Sequence, residues 1–274
     1  METVVIYHGN CTDGFCSAYL ARMAIPDAAF FPAQYNNLEN IPDVRGKQVF
    51  ILDFSYPKKV LLLMQELANS LVVLDHHKTA QEDLQDLDFC IFDLNRSGAS
   101  LTKDFFFPDI SYDFWLVDYI EDRDLWLHKL PNTHEINAAI FSYPYDFASW
   151  DLLWTKSPED LVNEGTAILR FQAKIVEAAV TNSQEITLQG HRVLVANSHT
   201  MQSDIAGILA TDRPFGVVWS QKADGRIKYS LRSTPGIGID VAKIAQLYGG
   251  GGHKHAAGFV TNSLIHFSML KLTR

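Results

Sequence analysis

LVVLDHH, residues 71–77, decides the architecture of the first half of this chain. Four apolar residues in a row, two of them β-branched, stop abruptly at an acid and two histidines. A strand with no polar face belongs inside a parallel sheet that helices cover on both sides. Working outward, QVFILD at 48–53 repeats the pattern and ends at Asp53, with helical periodicity between the two strands over 57–69. Further upstream TVVIY at 3–7 runs into His8, and after a glycine-containing loop a helical stretch covers 14–24. Strands alternating with helices in this way predict an α/β fold with a parallel sheet. Ligands of such sheets bind beyond the carboxyl ends of the strands. His8, Asp13, Asp53 and Asp75 all fall there, although they are far apart in sequence.

The remainder reads as a second, different unit. Residues 97–154 are helical and aromatic-rich, and 157–181 predict a long helix that begins at Ser157 with Glu159 and Asp160 in its first turn. EITLQGHRVLVAN at 185–197 predicts a hairpin turning near Gln189–Gly190. A helix near 202–211, strands near 215–220 and 226–232 and a helix near 240–248 follow, while 261–274 carries a weak signal. The expected organisation is a first domain over 1–155, a linker helix over 156–184 and a smaller mixed α/β domain over 185–274. A chain of 274 residues accommodates two such cores.

Charge restricts the partners. The formal net charge is −9, whereas a protein that grips long DNA or RNA through its phosphates carries a basic excess. A small anionic substrate needs only a local positive site, which bound metal can supply. The three cysteines, Cys11, Cys16 and Cys90, have no zinc-type spacing and make no disulfide framework, which predicts a reducing, cytoplasmic setting. The N-terminus lacks the basic and apolar regions of a signal peptide, and no apolar run reaches the ~20 residues of a membrane span.

Several short segments carry chemistry. Asp75-His76-His77 leaves a buried strand directly, so one histidine can bind metal while the other faces substrate. The alternative is a capping Asp with two solvent-facing histidines. In His8-Gly9-Asn10-Cys11-Thr12-Asp13-Gly14, a His and an Asp bracket a tight loop that opens a helix, whose N-terminus favours anions. An ordinary capped turn has the same composition. A carboxylate at Asp53 is unfavourable unless it is paired or metal-bound, or else it caps the helix beginning near Pro57. Asp122 and Asp124 flank Arg123 in IEDRD, a pattern shared with solvated helix faces. Gly249-Gly250-Gly251-Gly252-His253 carries a large entropic penalty for a plain turn, and glycine runs can aim several backbone N–H groups at one anion. Arg232, at the end of the preceding strand, offers a phosphate-binding fork.

Together the strand-HGNCTDG, strand-ILD, strand-LDHH and IEDRD segments resemble the DHH phosphoesterase domain, and KYSLRS followed by GGGGHKHAAGF resembles the DHH-associated C-terminal domain. The combination is similar to the nanoRNase and oligoribonuclease group, with RecJ exonucleases as relatives. The resemblance implies two divalent ions, usually Mn²⁺, with Mg²⁺ or another ion as the alternative. It implies His8, Asp13, Asp53, His76 and one acid of the 122–124 segment (Asp122 is the first choice, Asp124 the second) as ligands. Asp53 would bridge the ions, Asp75 would support the site from behind, and His77 would face the scissile phosphate. Arg232, Gly250, Gly251, Gly252 and His253 would bind substrate. The implied activity is hydrolysis of very short RNA, linear dinucleotides such as pGpG above all, to 5′-mononucleotides. A 3′,5′-bisphosphonucleotide phosphatase, a cyclic-dinucleotide phosphodiesterase, an exopolyphosphatase and a non-catalytic nucleotide-binding protein are the alternatives. Homodimers occur among such relatives. One departure stands out: the family's first motif usually carries two acids separated by one residue, and here only Asp13 is present. The other place is filled by Cys11, or by Asn10 or Thr12, depending on the alignment.

Overall fold

The computed structural model describes residues 2–35, 38–265 and 268–269. The first elements are β1 (Thr3–His8), α1 (Thr12–Ala24), β2 (Ala29–Ala33), β3 (Gln48–Leu52), α2 (Lys58–Leu67), β4 (Ser70–Asp75), α3 (Lys78–Leu84) and β5 (Cys90–Phe92). Four helices follow: α4 (Gly98–Phe106), α5 (Trp115–Asp124), α6 (Thr133–Ser142) and α7 (Phe147–Leu153). The long α8 (Pro158–Thr181) leads to β6 (Gln184–Leu188), β7 (His191–Asn197), α9 (Gln202–Leu209), β8 (Gly216–Gln221), β9 (Ile227–Arg232), α10 (Val241–Gln246), β10 (Gly251–His253), β11 (Ala256–Thr261) and β12 (Ser268–Met269). Among the described residues no helix is long and apolar enough to cross a membrane. Of the weakly patterned 261–274, residues 266–267 and 270–274 lie outside the described residues.

The chain divides into two compact units, Met1–Leu169 and Arg170–Arg274, and the division falls within α8. The first unit holds a parallel sheet of order β2-β1-β3-β4-β5. Alternate side chains explain why these strands are apolar throughout. Ile6, Ile51 and Val73 form one cross-strand row and pack with Leu61, Met64 and Leu84 on one face. Tyr7, Leu52 and Leu74 form the next row and pack with Phe15, Leu116, Ile140 and Trp150 on the other. Each fully buried aliphatic side chain in these rows contributes about 1.5–3 kcal/mol. That register also sets the site. Because Tyr7, Leu52 and Leu74 are aligned, the residues that follow them, His8, Asp53 and Asp75, emerge together at the carboxyl edge. The strand order reverses between β1 and β3, the switch point where open α/β sheets bind ligands.

Two strands escape the sequence pattern. β2 contains Pro32, which an edge strand tolerates because it has an unpaired side. β5, the other edge, has only three residues, Cys90–Phe92.

The second unit has a seven-stranded sheet of order β10-β11-β9-β8-β7-β6-β12. The β6–β7 hairpin turns at Gln189 and Gly190, with φ 50° and 78°, as the sequence predicts. Two successive left-handed residues match the twist of the flanking strands. β7 and β8 pair in parallel, so the chain needs a crossover, and α9 supplies it. Ile186, Val193, Val217, Tyr229 and Leu231 pack with α10 residues Val241 and Ile244 in one core. Val176 of α8 joins Ile205, Leu209 and Val218 in a second.

Candidate metal centre

β1 delivers His8 to the edge, and the chain then turns sharply. Gly9 N donates to Ala33 O at 2.7 Å, and Asn10 takes the left-handed φ of 59°. Cys11 is the N-cap of α1, with extended backbone and no side-chain capping bond. Gly14 is required by proximity, since a Cβ there would sit 2.3 Å from His8 O. Asp13, in the first turn of α1, is 1% exposed. Its carboxylate accepts Gly98 N at 2.6 Å and Ala99 N at 2.9 Å. These amides belong to the first turn of α4, where backbone N–H groups have no partner within the helix.

Asp53 follows β3 with φ +55°, a conformation that is strained by ~1–3 kcal/mol for a residue with a side chain and that clusters at functional sites. The backbone holds it there through Asp53 N donating to Leu74 O at 2.8 Å. The side chain is 1% exposed. Oδ2 lies 3.3 Å from His8 Nδ1. Oδ1 lies 3.2 Å from His76 Nε2, but the two are not aligned as a hydrogen bond, and this buried oxygen has no hydrogen-bond partner. His76 Nε2 is also 3.7 Å from Asp13 Oδ2 and 3.5 Å from Asp124 Oδ2. Three overlapping donor groups result: His8, Cys11 and Asp53; Asp53, His76 and His77; Asp13, His76 and Asp124. Within each, the donor atoms lie within 4.8 Å of one another.

The electrostatics are those of a cluster short of positive charge. Burial, then the charges of Asp53 and Asp124, push the Asp13 carboxyl well above its usual range. Burial opposes charge on His76, but the Asp53 carboxylate and the neighbouring Asp13 and Asp124 outweigh it, and its pKa is pushed up to about 10. Burial likewise opposes charge on Asp53, yet His76, His8 and His77 hold its carboxyl below the usual range. Burial and the charges of Asp53, Asp13 and Asp124 raise the Cys11 thiol. Divalent cations fit this arrangement. They would give Asp53 Oδ1, which makes no hydrogen bond, a ligand bond and would offset the clustered carboxylates.

Of the two acids in IEDRD, the structure brings Asp124 to the cluster and leaves Asp122 out, which corrects the first choice. Asp122 is buried, and its carboxylate accepts Lys129 N at 2.8 Å and Leu130 N at 3.3 Å, closing the loop after α5. Residues two apart on a helix point roughly 200° away from each other. Asp124, at the end of α5, therefore faces His76, with its side chain still 29% exposed.

The residues singled out in the second unit are placed differently from a simple anion nest. Gly249 N donates to Gln246 O and Gly250 N to Ala245 O, both at 3.0 Å, so two of the four glycine amides close the end of α10. Gly251, Gly252 and His253 form the exposed edge strand β10, paired with β11. The glycines also permit close packing, since a Cβ at Gly250 would lie 2.2 Å from Gly258 O. Arg232 ends β9, and Nη2 donates to Ser203 Oγ at 2.7 Å.

Comparison with known proteins places these features. Residues 190–268 match the DHHA1 domain. Uncharacterized protein R106 of Acanthamoeba polyphaga mimivirus is 33% identical over 287 residues, covering 95% of this chain and 68% of that protein. The chain belongs to the DHH family of phosphoesterases. Among solved structures, the pGpG-specific phosphodiesterase PggH from Vibrio cholerae shares the fold at 13% identity, with a TM-score of 0.55 and coverage of 95% and 93% of the two chains. RecJ of Thermus thermophilus in complex with Mn²⁺ aligns at 14% identity and a TM-score of 0.48, over 95% of this chain and 49% of RecJ.

In this DHH phosphoesterase the three residues of the tripeptide divide the work. Asp75 is fully buried, and its Oδ1 accepts His76 N at 2.7 Å, His77 N at 3.1 Å and His77 Nδ1 at 2.6 Å. Ser55 Oγ donates to Oδ2 at 2.5 Å. Asp75 therefore shapes the loop and orients His77, while His76 turns into the cluster. Burial opposes charge on His77, but the Asp75 carboxylate outweighs it and raises the pKa. Sequence reading missed Ser55 and the Ser97-Gly98-Ala99 start of α4. The available signal was Ser97 before a helix with a glycine at its first position, since Ser97 Oγ accepts Ser100 N at 3.2 Å.

Proposed function

We propose that this DHH phosphoesterase is a divalent-metal-dependent phosphodiesterase that cuts very short RNA, linear dinucleotides first, to 5′-mononucleotides. The observation that carries this reading is the convergence of Asp13, Asp53 and Asp124 on His76 Nε2, at 3.7, 3.2 and 3.5 Å, with the buried Asp53 Oδ1 left without a hydrogen bond. His8, Asp13, Asp53, His76 and Asp124 would hold two cations, with Asp53 common to both. Mn²⁺ or Mg²⁺ bound there would lower the pKa of water and shield the charge of the phosphodiester. Asp53 is pinned by its backbone bond to Leu74, so the donor set is organised before substrate arrives. His77, oriented through Nδ1 by Asp75, would direct its other ring nitrogen to a phosphate oxygen and steady the charge that develops there. In the second unit, Arg232, Gly251, Gly252 and His253 are the residues we propose for substrate binding. The net charge of −9 works against longer strands.

The test is cleavage of 5′-labelled RNAs of increasing length, from the dinucleotide upward, with Mn²⁺ and a His76→Ala control. pGpG heads the panel because PggH shares the fold. Fastest loss of the dinucleotide, with an inert control, is the expected result. No cleavage at any length overturns the RNA reading and moves the search to bisphosphonucleotides and polyphosphate.

A further inference from the structure

Cys11 lies in the first-motif loop that lacks one of the family's usual two acids, and the surroundings of its thiol have a chemical meaning of their own. Its Sγ belongs to a donor group with His8 and Asp53, all within 4.8 Å of one another. The side chain makes no capping bond at the start of α1, where an N-cap residue usually directs its side chain back to the helix. A second observation concerns the same carboxylate, whose Oδ2 faces His8 at 3.3 Å and whose Oδ1 faces His76. Asp53 is the vertex shared by the His8–Cys11–Asp53 and Asp53–His76–His77 groups, it is 1% exposed, and its Oδ1 has no hydrogen-bond partner. The other two cysteines differ. Cys16 is fully buried in the core against α1's neighbours, Cys90 lies in an edge strand, and neither joins a donor group among the described residues.

We propose that Cys11 is a metal ligand, making one of the two cation positions a mixed His8–Cys11–Asp53 site that selects a thiophilic ion such as Zn²⁺, Co²⁺ or Fe²⁺. The other position, formed by Asp13, His76 and Asp124, is built from carboxylates and imidazole and accepts a harder ion such as Mn²⁺ or Mg²⁺. Binding breaks the Cys11 S–H bond, forms the S–metal bond and releases the proton to water, with no change in oxidation state. Thiolate is a soft donor and carboxylate a hard one, so the two positions discriminate between ions that a purely carboxylate centre would mix. The inference rests on the metal-centre reading above, but not on RNA being the substrate.

The experiment is optical titration of the metal-free protein with Co²⁺, without any nucleotide. The expected spectrum contains a near-ultraviolet thiolate-to-cobalt charge-transfer band together with visible ligand-field bands. Cys11→Ser should lose the first and keep the second, while Cys90→Ser should keep both. In parallel, Cys11→Ser should bind Cd²⁺ at least about tenfold more weakly while its Mn²⁺ affinity changes little, and Cys11→Asp should shift preference from Cd²⁺ towards Mn²⁺. Co²⁺ uptake by the wild-type protein without the charge-transfer band overturns the proposal and leaves the metal centre standing. Persistence of the band in Cys11→Ser overturns it as well. No uptake of Co²⁺ at all overturns the metal centre and this assignment together.

Discussion

Gly98→Ala is a single methyl placed where two carboxylates of the cluster, Asp13 and Asp53, meet. Gly98 opens α4, its amide holds Asp13 Oδ2 at 2.6 Å, and a Cβ on it would stand 2.4 Å from Asp53 Cβ and 2.8 Å from Asp53 Oδ1. Ordinary carbon–carbon contacts lie at about 3.5–4.0 Å, so Asp53 and the start of α4 must separate by about 1.1–1.6 Å. Neither can move alone, because Asp53 is tied to Leu74 and α4 is tied to Asp13. Overpacking of a filled interior destabilises by about 1–3 kcal/mol. For a unit of this size that lowers Tm by about 2–12 °C, at roughly 2–4 °C per kcal/mol. Displacement of a ligand by ~1 Å lowers turnover about 100-fold, and metal affinity should fall about 10–100-fold. Gly207→Ala in α9 is the matched control, since its Cβ meets nothing within 4 Å. There the gain in helix propensity, at most about 1 kcal/mol, should stabilise. Scanning calorimetry and isothermal titration with Mn²⁺ measure both variants. A Gly98→Ala protein with unchanged Tm and unchanged Mn²⁺ affinity refutes the reasoning, because the contact then has no consequence.

Other outcomes separate the individual residues. Asp124→Asn should weaken Mn²⁺ binding about 10–100-fold with little loss of Tm, whereas Asp122→Asn should destabilise by about 1–3 kcal/mol through its two loop amides and leave Mn²⁺ affinity intact; calorimetry and titration of both variants decide. In metal-free protein the His76 pKa is raised from 6.5 to about 10, so its contribution to stability is complete below about 6.5 and is lost as pH rises through about 10. Melting in EDTA should therefore show Tm falling over that range, and His76→Ala should remove this fall. Because cations displace the proton from His76, Mn²⁺ affinity should rise with pH over the same window, read by titration in matched buffers. Mn²⁺ at about 100 times its Kd should stabilise the first unit by about 2.7 kcal/mol, and chelation should reverse this in a thermal melt.

The sequence by itself determined the parallel sheet, the edge at which His8, Asp53 and Asp75 emerge, and most of the second unit. Strands such as 71–75 are apolar on both faces, and only a sheet covered on both sides can bury them. Period-two alternation and the Gln189–Gly190 turn are local signals that survive folding. His8, Asp13, Asp53 and His76 were legible because strand ends in such a sheet converge. What the tertiary structure decided are the choices that depend on which way a side chain points. Asp124 rather than Asp122 reaches His76, because the second is drawn into the loop after α5 by Lys129 and Leu130. Gly249 and Gly250 close α10 instead of cradling an anion, because a helix end needs those amides. Gly98 matters only because α4, 85 residues beyond Asp13, lands its first turn on that carboxylate. Contacts between residues so distant in sequence leave no periodic trace, and they exist only once the sheet and helices have set the distances.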